Sequence, residues 1–211
     1  MIENIVQWLT ELIESTGYIG VAIAVFVESV FAPIPSPFIL PFVGFVSSRT
    51  DQSLIISILA ATLGAYLGSL PFYFLGRWGE KAVSRFLKKY GKYLFMEQDE
   101  VDKGFEFFDK YGSSIVFTGR LIPLVRSVIS FPAGVAKMPF LQFSIYTILG
   151  SAVWSTVLTV AGYLLGSKWE VIIFWLAQYE NFVIIAGVLV VLIYIVVKVL
   201  RRKKKKSINS I

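Results

Sequence analysis

Two apolar stretches of this chain are interrupted by proline and glycine at matching places, and both carry charge where a lipid-buried helix would have none. The first reads Phe26-Val27-Glu28-Ser29-Val30-Phe31-Ala32-Pro33-Ile34-Pro35-Ser36-Pro37 and stays apolar to Gly44. The second reads Phe117-Thr118-Gly119-Arg120-Leu121-Ile122-Pro123-Leu124-Val125-Arg126-Ser127 and stays largely apolar to Gly134. An offset of 90 residues lays Pro33 on Pro123, Ile39 on Ile129 and Gly44 on Gly134. The same offset carries Tyr73 onto Tyr163 and Leu75-Gly76 onto Leu165-Gly166. Proline and glycine breaks at corresponding positions of two halves point to paired discontinuous elements around a binding site.

Each interrupted stretch is too short to cross a bilayer in one piece. Residues 17–31 are apolar apart from Glu28, and residues 38–47 are apolar again. A span needs roughly 20 residues. Proline lacks an amide donor and restrains its predecessor, so the run between them must turn. Residues 17–47 therefore read as one re-entrant hairpin turning at Pro33 and Pro35, and 113–136 as a second turning at Pro123. Such turns must be buried in protein or face water. Gly119 and Gly134 belong to the second turn region and its close packing.

Two longer runs, 53–76 and 139–166, are long enough to cross, and 182–199 forms a last span before the basic tail. Gly64 with Gly68, and Gly162 with Gly166, are small-residue pairs suited to close helix contact, within or between chains. The expected architecture is an all-α polytopic membrane protein with an inverted repeat, each re-entrant hairpin being followed by a transmembrane helix. It divides into an amphipathic helix at 1–16, a first repeat at 17–76, a cytoplasmic amphipathic segment at 77–112 and a second repeat at 113–166. An interfacial segment with the last span fills 167–200, and a basic tail closes the chain at 201–211. With 56% of 211 residues hydrophobic and a mean hydropathy of +0.71, lipid must be the solvent for much of this surface. Glu3, with no Lys or Arg ahead of the first apolar run, does not fit a secretory signal peptide.

Lys and Arg mark the cytoplasmic side. The tail Arg201-Arg202-Lys203-Lys204-Lys205-Lys206 is then inside, and so is the basic stretch from Arg77 to Lys92, two spans earlier. Arg49 and Asp51 fall outside. The first hairpin dips from outside and the second from inside, so the two matched stretches have opposite topology.

The chain has no histidine and no cysteine. Disulfides, thiol nucleophiles, His-ligated zinc and Ser-His-Asp hydrolysis are excluded. No catalytic residue, metal ligand or cofactor is expected, and nothing points to nucleic acid. Charge at bilayer depth costs roughly 2.5–3.5 kcal/mol and faces a partner or a cavity. Arg120 and Arg126 present planar donor forks suited to phosphate oxygens. Their alternative use is a structural ion pair, or snorkelling to the inner interface. Glu28 is either a gate that holds an arginine until phosphate arrives or a permanent counter-charge that docks the hairpins. Ser36 and Ser127 are candidate hydroxyl donors, or local caps of the turns.

The motifs around Glu28, Pro33-Ile34-Pro35-Ser36, Gly119-Arg120, Pro123, Arg126, Ala133-Gly134, Met138 and Phe143 resemble those of DedA-family membrane proteins, relatives of the VTT-domain lipid scramblases. The resemblance implies translocation of a phosphate-bearing lipid, undecaprenyl phosphate or phosphatidylethanolamine, across a bacterial cytoplasmic membrane, with proton or sodium coupling. The family's second acid after the Pro-x-Pro-Ser turn is absent, since Pro37 occupies that position. The competing functions are an ion-coupled small-solute transporter or channel, an intramembrane lipid-phosphate enzyme, and a scaffold that shapes the bilayer.

Overall fold

A computed structural model of the chain describes residues 11–13, 15–30, 36–90, 111–112, 114–168 and scattered positions from 171 to 189. Every regular element among the described residues is helical. The helices are α1 (Tyr18–Val30), α2 (Ser36–Arg49), α3 (Leu54–Tyr90), α4 (Pro123–Val128), α5 (Ser130–Val135) and α6 (Phe140–Leu165). Residues 114–120 are also helical, and a 3-10 turn, Gly166–Lys168, follows α6.

Two helical stretches, Leu54–Gly79 and Phe140–Leu165, are each 26 residues long and apolar. At a rise of about 1.5 Å per residue each reaches about 39 Å, enough for a hydrocarbon core of about 30 Å. Ile55, Leu59, Leu63 and Leu67 form an exposed stripe on α3, and Leu141, Ile145, Leu149, Val153 and Val157 form one on α6. Both follow the i, i+4 ridge of a helix, so each long helix turns one apolar face outward. Helices α1 and α2, of 13 and 14 residues, are too short to cross in this way. Pro33 and Pro35, the expected turn between them, lie outside the described residues, as do residues 1–10 and almost all of 182–199.

Helix α3 departs from the expected organisation. It continues past residue 76 to Tyr90 without a break, so the basic segment begins as an extension of the long helix. Residues 80–90 lack glycine and proline and include the helix formers Glu80, Lys81, Ala82, Arg85, Leu87, Lys88 and Lys89, a composition that carries a helix onward even after the apolar run ends. Gly166 also departs. It adopts φ +50°, caps α6, and has no neighbour where a Cβ would stand, so it terminates the helix instead of packing against another.

Six glycines, Gly44, Gly64, Gly68, Gly76, Gly134 and Gly162, sit at helix crossings. A Cβ on Gly64 would strike the Ala22 carbonyl, and one on Gly68 would strike Ser29, so this pair seats α3 on α1. A Cβ on Gly44 would strike the Thr159 carbonyl oxygen, and one on Gly162 that of Pro41, which joins α2 to α6. A Cβ on Gly134 would strike the Tyr73 carbonyl oxygen, and one on Gly76 that of Phe131, which joins α5 to α3. The two crossings use corresponding residues. On the short helices Pro41 and Gly44 correspond to Phe131 and Gly134, at the offset of 90. On the long helices Thr159 and Gly162 correspond to Tyr73 and Gly76, at an offset of 86. The long helices themselves begin 86 residues apart, at Leu54 and Phe140.

The four-residue difference is one helical turn. Helix α2 runs five residues past Gly44 to Arg49, whereas α5 ends at Val135, one residue past Gly134. Tyr73 is therefore matched in packing by Thr159, not by Tyr163. Two apolar clusters result. One gathers Val21, Val25, Ile39, Val43, Ala61 and Leu158, and the other Tyr73, Val116, Ile129, Ala133, Met138 and Phe143.

Candidate functional site

The second interrupted stretch breaks at two places. Leu121 and Ile122 donate tightened bonds back to Thr118 and Gly119 at 3.0 and 3.3 Å, and Ile122 is extended ahead of Pro123, the first residue of α4. Proline fits that first position because its missing donor is not needed there. One residue, Ile129, then separates α4 from α5. Pro132 explains it: its ring nitrogen cannot donate to the carbonyl of Val128, four residues back. Gly119 packs on this junction, where a Cβ would lie 3.0 Å from Cγ1 of Ile129. The two breaks put Arg120 just before one turn and Arg126 within the short helix after it.

Both guanidinium groups are buried, with Arg120 4% and Arg126 7% exposed. Glu28, on α1, is 3% exposed. Arg126 donates through Nη2 to Oε1 of Glu28, an ion pair that ties the first interrupted stretch to the second. Its guanidinium carbon lies 5.7 Å from the centre of the Trp154 ring, within cation–π range. Arg120 is held differently. Its Nη2 donates to Oγ of Ser130 at 2.8 Å, and its Nε has no hydrogen-bond partner among the described residues. Gly150 of α6 lets the helix carrying Arg120 come close, since a Cβ there would lie 2.7 Å from Cβ of Arg120.

Three of the expected site residues, Glu28, Arg120 and Arg126, are thus buried, with Glu28 and Arg126 in direct contact. Ser36 begins α2 and Ser127 lies within α4, but their side chains fall outside the described residues. Ser130 and Trp154 were not expected. A serine and a tryptophan inside apolar helices have many ordinary uses, and only helix rotation brings these two to the arginines. Tyr73 was seen only as a repeat match. Its hydroxyl donates to the Met138 carbonyl at 2.6 Å, its ring stacks on Phe143 at 4.3 Å, and Arg77 donates to its oxygen at 3.0 Å. These contacts fix the end of α5, where Lys137 takes φ +55°.

The VTT domain matches residues 34–164, well over half of the chain and including both arginines. This chain belongs to the VTT-domain (DedA) family. Among relatives in this family, undecaprenyl phosphate transporter A of Bacillus subtilis (strain 168) is 36% identical over 198 residues, covering 94% of each chain. Undecaprenyl phosphate transporter A of Staphylococcus aureus (strain NCTC 8325 / PS 47) is 28% identical over 200 residues, 94% of this chain and 98% of its own. An alkaline phosphatase-like protein of Lactococcus lactis subsp. lactis (strain IL1403) is 38% identical over 206 residues, 95% of each. No solved structure matches. Family membership and the two long apolar helices together make this a membrane protein.

Proposed function

We propose that the protein carries a phosphate-bearing lipid of the undecaprenyl phosphate type across the membrane. The observation that carries this reading is the pair of buried arginines, of which, among the described residues, only Arg126 has a carboxylate against it. A buried cation in an apolar helix assembly is expensive unless a partner or ligand offsets it. An anionic headgroup supplies that charge, and a guanidinium fork matches its oxygens. Two relatives bear the name of undecaprenyl phosphate transporter, which supports the same substrate class.

In this reading α1 with α2, and residues 114–120 with α4 and α5, are re-entrant hairpins of an inverted repeat. The matched glycine crossings, each seating one hairpin on the long helix of the other half, support it. The C-terminus and the 77–112 segment are cytoplasmic, as the basic residues require. Glu28 holds Arg126 while the site is empty, and an arriving phosphate competes for that guanidinium. Coupling to a proton or sodium gradient would run through Glu28, the hairpin acid that remains with Pro37 in place of a second.

Enzymatic hydrolysis is disfavoured. The chain has no histidine or cysteine, and no group of three metal-ligating side chains gathers among the described residues. The purified protein in liposomes, with a labelled prenyl phosphate on one leaflet, tests the proposal. Transbilayer movement of the intact lipid is expected. Released inorganic phosphate, or ion flux without lipid movement, would replace it with the enzyme or channel reading.

A further inference from the structure

Hydroxyl side chains in this protein ordinarily fold back onto their own helices. Ser29, Thr62 and Thr118 each donate to the carbonyl four residues earlier, at 2.8 Å. Ser69 does so three residues earlier, at 2.6 Å. This local bond is the easy way to satisfy a serine or threonine inside an apolar helix. Thr147 of α6 does not use it. Thr147 is 0% exposed, yet its Oγ1 has no hydrogen-bond partner among the described residues. The indole Nε1 of Trp154 is buried on the same helix and is equally without one.

These two donors lie on one face of α6, seven residues apart, with Gly150 between them. Gly150 is the crossing point with the helix that ends in Arg120, and Arg120 brings its own unbonded Nε to that crossing. Trp154 also lies under Arg126. Side chains on a helix lean toward its N-terminus, so the Trp154 indole is carried toward the Gly150 turn. A buried donor without an acceptor costs free energy, and several of them around two arginines describe an environment built for an acceptor that arrives later. The acceptor must be rich in oxygens and negatively charged.

The structure assigns Thr147 and Trp154 of α6 as hydrogen-bond donors to the phosphate of the transported lipid, flanking Arg120 on either side of the Gly150 crossing. The assignment rests on the lipid-phosphate reading and adds to it a wall of the site that neither hairpin provides. It also accounts for the threonine's conformation: a hydroxyl bonded to its own helix would be unavailable to substrate.

The test separates a donor from a core residue by asking stability and affinity to move in opposite directions. In the full-length protein in nanodiscs, Thr147→Val keeps the side chain's shape and removes only the donor. Trp154→Phe keeps an aromatic ring at this position and removes the N–H together with part of the indole's bulk. Thr147→Val should leave the melting temperature unchanged or raised, because a buried unsatisfied polar group is gone; Trp154→Phe also loses packing, so it is judged on phosphate against prenol binding. Both should weaken binding of a short-chain prenyl monophosphate about tenfold, as loss of a hydrogen bond to a charged group does. Thr147→Ser should stay near the parent. Binding of the corresponding unphosphorylated prenol should not change in any of them. Thr159→Val is the control, since Thr159 is also buried and unbonded but sits at the α2 crossing; it should leave affinity for the phosphate unaltered. Parental phosphate affinity in Thr147→Val and Trp154→Phe would overturn the assignment, and so would equal losses of phosphate and prenol binding. Failure of the parent protein to bind prenyl monophosphate at all would instead overturn the lipid-phosphate reading, and the assignment with it.

Discussion

The two arginines stand six residues apart in one broken stretch, yet they are held in opposite ways. Arg126 meets the carboxylate of Glu28 from α1, so its charge is balanced by an element remote in sequence. Arg120 meets the hydroxyl of Ser130, a neutral group ten residues away in the same stretch. A carboxylate cancels a charge, whereas a hydroxyl only accepts one of five donors. The first arrangement serves assembly, because it closes only when α1 and α4 are docked. Among the described residues, the second leaves the Arg120 charge without a counter-charge in a low-dielectric interior, which is what an anionic ligand needs. In the proposed reading the difference divides the labour: Arg126 with Glu28 ties α1 to α4 and yields under competition, and Arg120 attracts the phosphate.

That division is most sharply exposed by stability. Glu28→Ala should lower unfolding free energy by about 3–5 kcal/mol, the cost of stripping one partner from a buried ion pair. Arg126→Leu should cost a similar amount by stranding Glu28, and the double change should recover most of the loss. Arg120→Leu removes a buried charge that has no carboxylate and leaves only the Ser130 hydroxyl behind, a cost of about 1 kcal/mol. Chemical unfolding in detergent reads all four. Equal losses at Arg120 and Arg126 would erase the distinction.

The second effect is on transport, where the order reverses. Arg120→Leu should reduce prenyl phosphate movement at least about tenfold at matched folded protein, since the charge-assisted bonds it supplies to phosphate are lost. Arg120→Lys should recover little of it, because an ammonium keeps the charge and loses the planar fork. Liposome transport at equal reconstituted protein checks both. Full activity with lysine would show that Arg120 acts as a point charge and not as a fork.

The same two residues show how far the sequence could be read. A charge in an apolar run is rare and expensive, so Glu28, Arg120 and Arg126 stand out without any structure. The prolines mark where helices must stop, and both breaks around Arg120 and Arg126 follow from Pro123 and Pro132. Rotation and register are harder. Ser130 and Trp154 become visible only once α5 and α6 are turned toward the arginines. A slip of four residues keeps the same face of an apolar helix in place, so the offset of 90 holds for the interrupted stretches and reads on into the long helices, where packing uses 86. Nothing in the composition of α2 and α5 announces that one runs a turn further past its glycine than the other. The continuation of α3 to Tyr90 was hidden for a related reason: hydropathy ends at the membrane surface, but helix propensity does not.

The smallest expected effect on transport bears most directly on how Arg120 is kept ready. Ser130→Ala removes the hydroxyl that accepts from Arg120 Nη2 at 2.8 Å and leaves a buried charged donor unsatisfied. The empty protein should lose about 1–3 kcal/mol of stability. Transport should fall only a few-fold, because the guanidinium that meets the phosphate is still present. Bound prenyl phosphate should then restore what the serine supplied, so the ligand-induced rise in melting temperature should be larger in Ser130→Ala than in the parent. This follows from linkage: a ligand stabilises most where it satisfies a group that the empty protein leaves wanting. Ser69→Ala, whose hydroxyl donates to the Tyr66 carbonyl of its own helix, is the comparison, and it should show the parental rise. An equal or smaller rise in Ser130→Ala would mean that the serine and the phosphate do not share Arg120, and that this arginine is a fixed part of the α5 packing.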